Sequence, residues 1–308
     1  MITNRIFKRT ISLAAAFLVL LMSVTLYSSR SEAANTVVTY NVRNAITGEH
    51  LRNYTLQPLA ETNNSRAVIG EDNRYVDWSK SGVVKLIFSY YDYNNKLKTG
   101  IGSGFVIDSH TIATAAHCVH GAFDMNVLLF NSDGTLSMNA TPVEYHLPNN
   151  YAPYQQERYL IDYALITVKE DISSYACFNL GVPLDNIINI NPTIKVTGFS
   201  GDDENDSYSS HTLYTSEGKI LSNAYIDAVI DTDYLFAHDA DTYGGNSGGP
   251  VYIEESRNNR SYNTVIAIHT SSENEPDDEP SYNASVRITT NIIHFYMNNP
   301  NLNWETEE

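Results

Sequence analysis

One serine of the 308-residue chain lies among four glycines, in the stretch DTYGGNSGGP from Asp241 to Pro250. Gly244, Gly245, Gly248 and Gly249 permit turns with φ > 0 and close approach of main chain to another molecule, so Ser247 is expected to be presented. A serine hydroxyl is a weak nucleophile until a base takes its proton, an acid orients that base and N–H donors receive the oxyanion. Two earlier residues can fill the first two roles. His117 follows the run TIATA, where a strand is expected to end and the chain to turn. Asp162 opens the apolar run YALITV, where a carboxylate is costly unless a group such as an imidazole N–H pairs with it. The order is His117, Asp162, Ser247, with separations of 45 and 85 residues. The chemistry open to such a set is acyl transfer through a covalent serine intermediate.

These side chains need rigid elements beneath them, and the sequence is rich in short β-type runs bounded by turn residues. A first group comprises VVKLIFSYY (Val83–Tyr91), GFVI (Gly104–Ile107), TIATA (Thr111–Ala115), MNVLLF (Met125–Phe130) and YALITV (Tyr163–Val168). A second comprises TIKVTGF (Thr193–Phe199), HTLYT (His211–Thr215), KILSNAYI (Lys219–Ile226), YLFA (Tyr234–Ala237), PVYI (Pro250–Ile253), TVIAIHT (Thr264–Thr270) and ASVRI (Ala284–Ile288). The pattern predicts an all-β fold, barrel or sandwich, with Ser173–Asn191 as the linker between the groups. One helix is expected near the end in TTNIIHFYMNN, capped by Thr290 or Asn291, with Ile292, Ile293, Phe295 and Tyr296 buried.

Charge and composition exclude several partners. The formal net charge is −17, but the first 66 residues hold seven basic and three acidic residues, a net +4. The remainder carries 12 Lys+Arg against 33 Asp+Glu, a net −21, which argues against nucleic acid or an anionic membrane as partner. Residues 1–34 have the form of a secretory signal: Arg5, Lys8 and Arg9, an apolar run from Ile11 to Tyr27, then Ser31, Ala33 and Ala34. Residues 35–67 are polar, without sustained period, and read as a removable propeptide or an N-terminal arm. Two cysteines, Cys118 and Cys177, allow one disulfide at most.

TAAHC (Thr114–Cys118), DYALI (Asp162–Ile166) and GGNSGGP (Gly244–Pro250) together resemble the three catalytic blocks of the chymotrypsin-like serine endopeptidases. The resemblance implies two antiparallel β-barrels, residues 68–178 and 179–308, with the active site between them. His117 would be the general base, Asp162 its orienting acid, Ser247 the nucleophile, and the N–H groups of Gly245 and Ser247 the oxyanion hole. Asn246 departs from the animal digestive members, which have an aspartate there that receives the freed N-terminus. Gly102 stands where relatives often carry a cysteine paired with the equivalent of Cys118, which leaves Cys118 free or bridged to Cys177.

Asn246 and RAVIGEDNR (Arg66–Arg74) are similar to the bacterial glutamyl endopeptidases. That branch implies a secreted zymogen and recognition of the substrate carboxylate by Thr242, His269 and a mature amine at Val68. A hydroxyl and an imidazole N–H suit an acidic side chain chemically. A rival specificity comes from Asp241, six residues before Ser247, the position from which trypsin-type enzymes bind arginine and lysine. The remaining histidines, His110, His120, His211, His238 and His294, are read as structural or exposed.

Two other functions compete. G-N-S-G-G also satisfies the G-x-S-x-G elbow of α/β-hydrolases, but there the acid and histidine follow the serine, whereas here they precede it. A secreted, non-catalytic binding protein on the protease fold is the other, and such proteins usually lack a catalytic residue. The expected partners are protein or peptide substrates and a maturation protease, acting on a monomer without nucleic acid or membrane. No cofactor is expected. The clusters Asp202, Asp203, Glu204, Asp206 and Glu273, Glu275, Asp277, Asp278, Glu279 are read as solvated loops, with structural calcium as the alternative, since neither has EF-hand spacing.

Overall fold

The computed structural model describes residues 38–44, 50–56, 71–92, 95–148, 151, 160–175, 178–183, 187–200, 211–221, 234–257, 260–273 and 282–298. The expected signal, the Arg66–Val68 cut region, Val68 itself and Cys177 lie outside them, as do the acidic clusters apart from Glu273.

The described chain is nearly all strand. In its first half lie β1 (Val38–Asn44), β2 (His50–Leu56), β3 (Tyr75–Val76), β4 (Val83–Tyr91), β5 (Leu97–Asp108), β6 (Thr111–Thr114), β7 (Phe123–Phe130), β8 (Leu136–Ala140), β9 (Pro142–Pro148) and β10 (Ala164–Val168). The second half holds β11 (Asn179–Leu180), β12 (Thr193–Gly198), β13 (Tyr214–Lys219), β14 (Leu235–His238), β15 (Pro250–Arg257), β16 (Arg260–Glu273) and β17 (Tyr282–Arg287). Two helices, α1 (Ile187–Ile190) and α2 (Thr290–Met297), complete it. Neither is long and apolar enough to cross a membrane.

The strands form two curled antiparallel sheets. One runs β2-β1-β9-β10-β6-β5-β4-β7-β8, the other β14-β17-β16-β15-β12-β13-β3, with β11 pairing in parallel to β16. The chymotrypsin-like two-barrel architecture expected from sequence is therefore present. β-Branched and aromatic residues explain the strands, and burial sets their register: Leu86, Phe105, Ile112, Val127, Leu129 and Ile166 fill the first sheet's interior. Ile194, Val196, Phe236, Val251 and Ile266 do so in the second. Each such side chain contributes about 1.5–3 kcal/mol by leaving water.

Rings join the two sheets. Phe199, which ends the β12 run, packs 5.1 Å from Phe130 and 6.1 Å from Trp78, and Phe178 bridges Phe105 and Tyr252 at 5.8 and 5.5 Å. The C-terminal helix returns to the first half, with Phe295 edge-on to Tyr163 at 5.7 Å. Its cap is Thr289, whose hydroxyl accepts from the Ile292 N–H at 3.3 Å, one residue earlier than the first expected candidate. Ile292, Phe295 and Tyr296 are buried as expected, and Ile293 is half-buried.

Several elements differ from the sequence reading. β8 and β9 were not expected, because LSMNA and PVEYHLP break the apolar alternation with polar residues and proline. The run HTLYT is displaced, since β13 occupies Tyr214–Lys219 and takes its place by pairing with β12 from Thr193 to Gly198. Val38–Asn44 and His50–Leu56, expected to lack regular structure, pair as the antiparallel strands β1 and β2. β1 adds to the edge of β9 with Tyr40 opposite Pro148 and Asn44 opposite Glu144. Edge addition supplies main-chain hydrogen bonds that no local periodicity announces.

Candidate active site

His117 lies in a single 3₁₀ turn, Ala116–Cys118, that breaks the chain immediately after β6. Its main-chain N–H donates to Asp162 Oδ1 at 2.8 Å, and its Nδ1 lies 2.7 Å from Asp162 Oδ2. Asp162 precedes β10, which pairs with β6 so that Ala164 lies opposite Thr114. That pairing brings the two residues together across 45 positions of sequence. The Asp162 side chain is 2% exposed and the His117 side chain 24%. Burial, the largest single influence, would lower the His117 basicity, but the Asp162 carboxylate and the neighbouring Cys118 together outweigh it and the imidazole is raised well above its ordinary 6.5. The imidazole therefore has one nitrogen fixed by an acid, and a partly open face.

Ser247 is half-buried in the turn before β15. Its carbonyl accepts from the Ser103 N–H of β5 at 2.7 Å and from the Cys118 thiol at 3.6 Å. The nucleophile loop is thus tied to the residue next to His117. Cys118 is buried and free, so it forms no bridge to Cys177. Gly245 and Gly248 have φ of +104° and +85°. A Cβ at Gly245 would overlap the Phe199 carbonyl, and one at Gly248 would overlap the Ser103 carbonyl and the Thr114 hydroxyl, so glycine is required at both. The Ser103 hydroxyl holds Gly245 in place, donating to its carbonyl at 2.7 Å while accepting from Phe199 N–H at 2.9 Å. Neither the Gly245 nor the Ser247 N–H donates to a protein acceptor among the described residues. Main-chain N–H groups without an acceptor are the kind of donor an oxyanion needs.

His269 is locked to the same loop by its main chain. Its carbonyl accepts from Gly248 N–H at 2.7 Å and its N–H donates to the Gly249 carbonyl at 2.9 Å. Its ring is 3% exposed, stacks edge-on with His238 at 5.7 Å, and leaves Nδ1 without a hydrogen-bond partner among the described residues. Burial first, then the neighbouring His238 and His117, push its imidazole well below 6.5. Burial likewise pushes His238 down to about 3, and its Nε2 lies 3.0 Å from the Ser285 hydroxyl. Both rings are neutral at working pH.

Thr242 is 1% exposed, and its hydroxyl donates to Asn283 Oδ1 at 2.7 Å. Asn283 Nδ2 in turn donates to the Ala240 carbonyl at 2.8 Å, which fixes the amide's orientation. Asn283 and Ser285 are alternate residues of β17, and β17 pairs with both β14 and β16. Thr242 and His269 are therefore joined through Asn283, Ser285 and His238. The sequence reading treated His238 as structural and did not single out Asn283 or Ser285. Their relation to the site is made by cross-strand register.

Asp241 is fully buried, but its carboxylate is directed to the chain's own main chain: Oδ2 accepts from the Asn73 N–H at 2.8 Å. Asn246 is 1% exposed, with Oδ1 unpartnered among the described residues, so no ion pair is made at that position. Of the other histidines, His120 is exposed and edge-on to Tyr151 at 5.4 Å and His294 is exposed on α2, while His211 packs 5.5 Å from Phe130 and His146 is buried beside the Thr167 hydroxyl. No group of three or more described His, Cys, Asp or Glu residues is placed to hold a metal ion.

Comparison with known proteins places this geometry in context. A Glutamyl endopeptidase of Bacillus licheniformis is 27% identical over 242 residues, covering 74% of this chain and 67% of its own length. A Glu endopeptidase solved in complex with MPD superposes with a TM-score of 0.53 at 16% identity, over 75% of this chain and 98% of that one. The scabies mite inactivated protease paralogue S-I1 superposes at 0.52 and 12% identity, over 71% and 94%. The family model described as Trypsin matches residues 90–293, which include His117, Asp162 and Ser247. The chain belongs to the trypsin family of serine proteases.

Proposed function

We propose that this protein is a secreted serine endopeptidase that cuts peptide bonds after glutamate, or aspartate, once a propeptide has been removed. The observation that carries the catalytic reading is the double contact of His117 with the buried Asp162, one bond from the main chain and one from the ring.

The steps follow from the roles these groups can take. His117 Nε2 removes the Ser247 hydroxyl proton as Oγ attacks the substrate carbonyl carbon, and the carbonyl oxygen becomes an oxyanion held by the Gly245 and Ser247 N–H groups. Asp162 keeps the proton on Nδ1 and stabilises the imidazolium. The intermediate collapses, the C–N bond breaks, and His117 gives its proton to the leaving amine. Water then attacks the acyl-enzyme with His117 as base, releasing the acid and restoring Ser247.

Preference for an acidic side chain is supported by the neutral imidazole of His269, whose Nδ1 has no partner among the described residues, and by the Thr242 hydroxyl, which would turn from Asn283 Oδ1 to donate to a substrate carboxylate. An imidazole held neutral by burial can donate a hydrogen bond, and an incoming carboxylate would draw its affinity for protons upward. The Asp241 carboxylate engages Asn73, which removes the basis for arginine or lysine recognition from that position. The homologous Glutamyl endopeptidase points the same way. An amine freed at Val68 would add a cation to the pocket.

Secretion is supported by the basic, apolar and small-residue order of residues 1–34, with release after Ala33 or Ala34. The fold alone does not carry activity, since one structural neighbour is an inactivated protease. A fluorophosphonate probe separates the readings. Mass spectrometry should find the adduct on the Ser247 peptide of the mature protein and none in His117→Ala. Absence of any adduct, with casein left uncut, would favour a binding protein. N-terminal sequencing of the active form should begin within residues 67–68, and an active form beginning at Asn35 overturns the activation step.

A further inference from the structure

The chain that follows the expected maturation cut is bound to the specificity loop on both sides of Thr242. Asn73 donates its N–H to Asp241 Oδ2 at 2.8 Å and its side-chain amide to the Glu217 carbonyl at 3.0 Å. The next residue, Arg74, lies with its guanidinium 5.3 Å from the ring centres of both Tyr214 and Tyr243 and donates to the Ser200 hydroxyl at 3.0 Å. Asp72 grips the same guanidinium through both carboxylate oxygens, at 2.9 and 2.7 Å. The strap then continues into β3, which pairs with β13. Asp241 and Tyr243, the two neighbours of Thr242, are thus each held by a different residue of one segment.

Asp241 is an unusual choice for this duty. Its carboxylate is wholly buried, and its own carbonyl is fixed by the Ser216 hydroxyl at 2.7 Å. A buried anion persists only where donors converge on it, and a donor here comes from a segment 168 residues away. Asn73 is also only five residues beyond Val68. Asn246 offers no charge with which to hold that segment.

We infer that Asp241 is a positioning residue for recognition of the acidic substrate side chain: it anchors the Asp72–Arg74 strap, which sets the loop bearing Thr242. The inference rests on the acid-specific reading of the site. It assigns to the carboxylate six residues before Ser247 an internal main-chain ligand in place of a substrate cation.

The test uses the mature protein cut from the full chain, as wild type, Asp241→Ala, Asp241→Asn and Asn73→Pro. Rates are referred to sites titrated with a fluorophosphonate, so misfolded protein does not count. The readout is the ratio of kcat/KM for two peptides that differ only in Glu or Gln before the cut bond. Asp241→Ala should lower the ratio about tenfold, the factor an ordinary hydrogen bond represents, mainly through KM. Asn73→Pro lacks the donor and, on an exposed residue, keeps the test available if Asp241→Ala does not fold; it should lower the ratio similarly. Asp241→Asn retains an acceptor oxygen and should stay within about threefold of wild type. An unchanged ratio in both Asp241→Ala and Asn73→Pro overturns the inference. So does Asp241→Asn falling as far as Asp241→Ala. Wild-type cleavage after Arg that Asp241→Asn abolishes would instead overturn the acid-specific reading itself.

Discussion

His117 meets Asp162 twice, through its main-chain N–H at 2.8 Å and through Nδ1 at 2.7 Å. The first contact fixes where the 3₁₀ turn sits and the second fixes which way the ring faces. Because a base must be unprotonated to act, the raised proton affinity of His117 has a kinetic consequence. The kcat/KM profile should rise with pH and reach half its plateau above pH 6.5. Asp162→Asn should shift that midpoint downward, since the stabilising anion is gone, and lower kcat by about 10⁴, the loss a wrong tautomer causes in such triads.

His238 and His269 predict that stability, like activity, rises with pH. Both are buried neutral, so below pH 6.5 the unfolded chain binds protons that the folded chain does not. Their contribution is complete above pH 6.5 and is lost as pH falls, for His238 down to about 3. For His238 that loss is about 1.4 kcal/mol per pH unit across the window. Urea unfolding at pH 7, 6 and 5 should show the decline, and His238→Gln should lessen its slope. Equal slopes in the variant and wild type would show that His238 is not held neutral.

Gly248→Ala forces a methyl against the Ser103 carbonyl and Thr114 hydroxyl at a φ of +85°. Strain of this kind costs on the order of 1–3 kcal/mol before the clash is relieved. Activity should be lost and Tm should fall by roughly 2–4 °C per kcal/mol. A variant with wild-type Tm and rate would mean that the loop has another conformation.

Gly102 faces Cys118, and a Cβ added there would lie 2.7 Å from its Sγ. Gly102→Cys should oxidise to a bridge closing a loop of about 15 residues, which in the chain-entropy account adds about 3 kcal/mol. Thiol counting in denaturant should find one free cysteine, Cys177, where three stand in the sequence of the variant. Three free thiols after oxidation would contradict the placement.

The residues proposed for acyl transfer are legible in sequence because each is marked locally. Ser247 needs glycines that no other residue can replace, Asp162 opens a buried strand, and His117 follows one. β4 is read to the residue, since VVKLIFSYY has no competing period. The pocket is less legible. Among the described residues, the side chains of Thr242 and His269 are linked by way of Asn283, Ser285 and His238, and those contacts exist because β17 lies between β14 and β16. Asp241 shows the same limit: its position suggests a substrate cation, while its partner, Asn73, comes from the far end of the chain. β1 and β2 escape notice because their order comes from pairing, with each other and of β1 with β9.

The most direct test is digestion by the mature protein of one peptide that contains both an internal Glu and an internal Arg, followed by mass spectrometry of the fragments. Cleavage after Glu, absent in Ser247→Ala, is the result predicted from the His117, Asp162, Ser247 triad and the Thr242, His269 pocket. Cleavage after Arg alone, or activity that survives Ser247→Ala, would contradict it.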